Sequence, residues 1–197
     1  MRVDWWVDER RDPVKSTGAA VRFLRGLQEQ LGSLYLAAAA YNGGPGRIAR
    51  GLSRFADDLE GTEGDDRFFA LAEKKYLPSE TKEYVPQLIA AALIAKEPKR
   101  YGMELKTEPP FAYDSVRVGP SMPLAAIATA SGVSVETIQE LNPHILRGMT
   151  PPRDSIQVRI PAGKSTQFAS ALAARTDEQQ SGADTVTSKK SEYASTV

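Results

Sequence analysis

Ala37-Ala38-Ala39-Ala40-Tyr41-Asn42-Gly43-Gly44-Pro45-Gly46 decides the fold. Leu34 to Tyr41 reads as a short helix, because four alanines combine the highest helix propensity with almost no side chain and let neighbouring helices come close. Such a helix is expected to be buried. Gly43 or Gly44 can take the left-handed conformation that stops it, and Pro45 suits the first position of the next helix, which would carry Ile48, Leu52 and Phe55. Tyr41 and Asn42 therefore fall at a corner between two helices, where a phenol and an amide can be held rigidly at a cleft wall. Without further signals the same corner is a plain turn with no chemistry.

Towards the N-terminus, Ala20, Phe23 or Leu24, Leu27 and Leu31 recur at helical spacing, with Ser16 or Thr17 as a possible cap and Gly32 as the stop. Ahead of them Asp8-Glu9-Arg10-Arg11-Asp12-Pro13 sets opposite charges side by side, as in an extended ion-paired loop before a helix. After the corner, Asp57 to Asp66 reads as a polar surface loop, and Phe68, Phe69 and Leu71 as a short apolar helix. Leu77-Pro78-Ser79-Glu80-Thr81-Lys82-Glu83-Tyr84-Val85-Pro86 then opens the longest helix, with Ser79 as the expected cap. Pro86 should kink or restart that helix, since an internal proline costs about 3 kcal/mol. Leu88, Ile89, Ala92 and Leu93 form its expected core face.

Past Thr107-Glu108-Pro109-Pro110, a semi-rigid linker by composition, the pattern changes. Val116 and Val118 alternate as a strand. Leu124, Ile127 and Ala128 mark one helix, and Val135, Ile138 and Leu141 a second. Ile156, Val158 and Ile160 then alternate as another strand, giving a small β-α-α-β module that is expected to fold independently. A short helix over 166–174 is expected next, and then a disordered tail rich in Ser, Thr, Gln and charge.

Composition narrows the function. The 197 residues are 41% hydrophobic, enough for a real core, and 25 basic residues balance 25 acidic ones, so no charge excess points to nucleic acid or an anionic membrane. There is no cysteine, hence no disulfide frame or thiolate site, and no His/Asp/Glu cluster suggests a metal. No apolar run is long enough for a signal peptide or a membrane span. His144, the single histidine, reads as incidental in an exposed Asn142-Pro143-His144 loop.

Together the Asp8–Pro13, Ala39–Gly46 and Leu77–Pro86 stretches resemble the lysozyme-like lytic transglycosylases of the membrane-bound murein transglycosylase D type. The module at 113–161, with Leu141-Asn142-Pro143 and Val158-Arg159-Ile160-Pro161, is similar to the LysM-like repeats that follow that catalytic domain. The resemblance implies a mainly α fold. A partial lysozyme-like helical domain at 1–105, a linker at 106–112, a LysM-like module at 113–163, and a short helix and disordered tail at 164–197 make up the expected chain. The implied activity is non-hydrolytic cleavage of MurNAc–GlcNAc β-1,4 bonds in peptidoglycan, giving 1,6-anhydro ends, with one glutamic acid as acid and then base and with no cofactor.

Carried across by motif, Tyr41 stands beside that carboxyl, Asn42 helps hold the corner and the sugar, and Tyr84 reaches the cleft. In the family the catalytic glutamate and a Gly-Leu-Trp-Gln-like segment precede the Asp8–Pro13 stretch, so that glutamate is expected upstream of this chain. The 197 residues then read as the C-terminal part of a transglycosylase, inactive alone, with Glu9 and Glu80 structural. The family implies the cell envelope or periplasm and glycan strands as partner. A non-catalytic peptidoglycan-binding protein and a helical scaffold are the alternatives.

Overall fold

A computed structural model describes residues 1–106 and 110–174. The expected disordered tail from 175 onward, and part of the expected linker, lie outside the described residues. The chain divides into two compact units, one of Met1–Ser16 with the segment from Pro109 onward, the other of Thr17–Glu108. The fold is mainly α.

The Thr17–Glu108 unit is all helical. Helix α1 (Pro13–Leu31) starts ahead of both expected caps, Ser16 and Thr17. The Asp12 carboxylate accepts from the N–H groups of Val14 and Lys15 at 3.0 and 3.1 Å, and Pro13 takes the first helical position, where its missing N–H costs nothing. Helix α2 (Leu34–Gly43) is capped by Ser33, whose hydroxyl accepts from Leu36 N–H and donates to Asp65. Leu36 and the four alanines are all buried, as small residues allow. Gly44, at φ +91°, turns the chain into α3 (Pro45–Arg54). Helix α4 (Asp66–Glu73) buries Phe68 and Leu71 against the same core.

Helix α5 (Ser79–Lys96) runs unbroken past Pro86, where a restart was one expectation, and its cap position is Pro78 rather than Ser79. Packing of Thr81 and Val85, both buried, outweighs the local penalty of the proline. The outer half of the helix differs from expectation. Leu88 and Leu93 are 47% and 51% exposed and, with Leu34, Tyr35, Val85 and Ile89, line an open apolar groove of about 290 Å³.

In the other unit β1 (Tyr113–Val118) pairs antiparallel with β2 (Ile156–Pro161), in a register from Tyr113 opposite Pro161 to Val118 opposite Ile156. Helices α6 (Leu124–Ser131) and α7 (Val135–Leu141) lie between them in sequence, and α8 (165–174) follows. The core is Val118, Leu124, Ile127, Ile138, Val158, Ile160 and Phe168. Buried Asn142 ties α7 to β2: its Nδ2 donates to the carbonyls of Ile138 and Arg159, and its Oδ1 accepts from Arg159 N–H.

Residues 1–12 complete this unit. Val7 bridges to Ile145, Leu146 N–H donates to Trp6 O, and Asp8 N–H donates to His144 O. The charged stretch forms a short 3-10 turn, Glu9–Arg11, rather than an extended loop. Asp12, fully buried, takes both oxygens to Arg159 Nη2 at 2.8 and 2.7 Å. His144 is buried beside it, its Nδ1 3.6 Å from Asp12 Oδ2, and is not the exposed loop residue that its surroundings in sequence suggest. Sequence neighbours cannot report a partner more than 130 positions away.

Candidate functional site

The corner between α2 and α3 meets the start of α5 inside the helical unit. Tyr41, in the last turn of α2, is 43% exposed, with its ring 6.0 Å from that of Phe23. The next side chain, Asn42, is fixed from α5: Thr81 Oγ1 donates to Asn42 Oδ1 at 2.9 Å, and Asn42 Nδ2 donates to Glu80 Oε1 at 3.1 Å. Two stretches 38 and 39 residues apart are thus joined through one amide. Gly43 makes the approach possible, because a Cβ there would stand 2.7 Å from Thr81 Oγ1.

Tyr84, one turn beyond Thr81 on α5, is half-buried and packs against the helical core. Its contacts are with that core, and the partners of the Asn42 amide are Glu80 and Thr81. The structure therefore brings Tyr41 and Asn42 to one exposed corner with the Glu80-Thr81 pair behind it. Sequence reading made Glu80 structural and passed over Thr81. A buried threonine in the first turn of a helix carries no local signal of a partner across 39 residues.

The two carboxyls nearest the motifs are differently placed. Glu80 lies on the exposed face and is engaged with Asn42. Glu9 belongs to the other unit, where Lys15 Nζ at 2.6 Å foremost, and Arg2 N–H next, hold its carboxyl below the usual range. Around α3, a shallow hollow of about 700 Å³ is lined by Ala49, Arg50, Ser53, Arg54 and Tyr76. Among the described residues there is no group of three or more His, Cys, Asp or Glu side chains placed to hold a metal ion.

With this geometry in place, comparison with known proteins is specific. Residues 1–60 match the transglycosylase SLT domain, and residues 112–177 match the LysM-like domain of lytic transglycosylase MltD. Membrane-bound lytic murein transglycosylase D of Escherichia coli K12 is 33% identical over 169 residues, covering 84% of this chain and 35% of that protein. The protein of the same name from Escherichia coli O6:H1 matches to the same extent. The chain thus spans about a third of the length of these relatives.

Proposed function

We propose, since this chain belongs to the MltD-type lytic transglycosylases, that it supplies a glycan-facing part of a peptidoglycan-cleaving domain together with a LysM-like module. In this reading residues 1–105 belong to the transglycosylase domain and residues 113–163 to the LysM-like module. The ligand is the glycan strand of peptidoglycan in the cell envelope, in keeping with relatives whose name calls them membrane-bound and murein-acting. No described helix is long and apolar enough to cross a membrane.

The reaction is non-hydrolytic. A carboxylic acid protonates the oxygen between MurNAc and GlcNAc, and the bond from C1 to that oxygen breaks. The resulting carboxylate then takes the proton of the sugar's own 6-hydroxyl, whose oxygen closes on C1 to give the 1,6-anhydro end. Such an acid needs a pKa raised towards neutrality. Glu9 is shifted the other way, and Glu80 is exposed and committed to Asn42. The acid in this reading is the family glutamate that the resemblance puts ahead of Asp8, and the 197 residues alone release no anhydro product.

The observation that carries the proposal is the corner itself, an exposed tyrosine beside an amide held from a second motif. Sedimentation with purified sacculi tests it: the chain should pellet with them, and Tyr41→Ala or Asn42→Ala should leave most of it in solution. A chain that stays in solution, or variants that pellet as well as the parent, would reject the assignment. A non-catalytic peptidoglycan-binding protein is the second reading, favoured by the engagement of Glu9 and Glu80, and it is separated from the first by product analysis.

A further inference from the structure

Asn42 can be oriented in only one way by its neighbours. The Glu80 Oε1 atom accepts, so the Asn42 atom facing it at 3.1 Å is the NH2 group. Oδ1 then faces Thr81, and the Thr81 hydroxyl must donate across the 2.9 Å contact. Thr81 is 2% exposed, so that hydroxyl has little water to turn to instead. Thr81 Oγ1 also sits where a side chain on residue 43 would begin, which couples Gly43 to the same contact. Among the described residues, the second N–H and the second acceptor lone pair of the amide have no partner and are left for a ligand.

From these contacts we infer that Thr81 is a positioning residue: with Glu80 it clamps the Asn42 amide in one orientation, and the clamp presents that free donor and acceptor to the glycan. The inference rests on the reading of Asn42 as glycan-facing. An amide-bearing sugar, which offers an N–H and a carbonyl together, answers such a pair. Released from Thr81, the amide would rotate among orientations and lose affinity through entropy, with its own chemistry intact.

The chain holds two asparagines, Asn42 and Asn142, so asparagine-selective 15N labelling yields two side-chain NH2 signals, and the triply bonded Asn142 serves as internal control. In the 197-residue chain, Thr81→Val should move the Asn42 pair towards free-amide shifts and speed its rotation, leaving Asn142 unmoved. Thr81→Ser, which keeps the hydroxyl, should keep the Asn42 signals of the parent. Affinity for the GlcNAc tetramer, measured by titration, should fall roughly tenfold in Thr81→Val and recover in Thr81→Ser. Unchanged Asn42 signals in Thr81→Val would overturn the clamp. If Thr81→Val fails to fold, Thr81→Ser decides alone: a loosened Asn42 pair despite the hydroxyl overturns it, a preserved pair supports it. A parent chain that binds no tetramer would defeat the glycan-facing reading, while the NMR signals still report on the clamp.

Discussion

Asp12 carries two structural roles in one carboxylate: it caps α1 and it neutralises Arg159 where water does not reach. Asp12→Asn keeps the cap but leaves a buried guanidinium without its charge partner, so denaturant unfolding should show a loss of about 3–5 kcal/mol. Asp12→Asn with Arg159→Met should cost less than that, because it removes both charges. Burial opposes the Asp12 charge most strongly, yet bonds from Arg159 and Lys15 N–H together prevail and hold the carboxyl below its ordinary 3.8. The unfolded chain therefore binds a proton before the folded one does, and this stability is present above about pH 4 and is lost as pH falls through the lower folded value. His144, held below 6.5 chiefly by burial, adds a loss of the same sign that begins as pH drops past 6.5. A stability profile against pH should decline in both windows, and Asp12→Asn should flatten the lower one. Neither role was legible in the sequence beyond the Asp12-Pro13 start signal, which was read as a loop because its charges looked mutually paired.

Helix α2 was legible as an element, because alanine content, the two glycines and Pro45 all agree on a buried helix with a hard stop. The same signals misjudge Gly43. Propensity alone says that Gly43→Ala should stabilise α2 by up to about 1 kcal/mol. The structure puts the new methyl 2.7 Å from Thr81 Oγ1 on buried Thr81, so the variant should instead lose about 1–3 kcal/mol, read as a lowered denaturant midpoint. A raised midpoint would show that Thr81 swings aside at little cost. Helix α5 shows the converse limit. Periodicity identifies Leu88, Ile89, Ala92 and Leu93 as its apolar face, but it cannot say whether anything lies on that face, and in the described residues it lines an open groove.

For the molecule as a whole, the β-α-α-β order of the second module follows from two alternating strands and two helical triplets, each with one apolar face. That residues 1–12 complete the same unit does not follow, since Val7–Ile145 and Asp12–Arg159 join positions 138 and 147 apart. The site divides likewise: Tyr41 and Asn42 stand out by motif, whereas Thr81 emerges only when α5 is folded against the corner. In the function proposed above, this chain carries a glycan-facing corner of a lytic transglycosylase whose acid is the family glutamate. Mass spectrometry of the soluble products from sacculi tests it most directly, comparing the 197-residue chain with a version extended by the family's glutamate-bearing segment. 1,6-Anhydro-muropeptides should come from the extended chain alone, about 10²-fold or more above background, as expected for a restored general acid. Anhydro products from the 197 residues by themselves, or none from the extended chain, would contradict it.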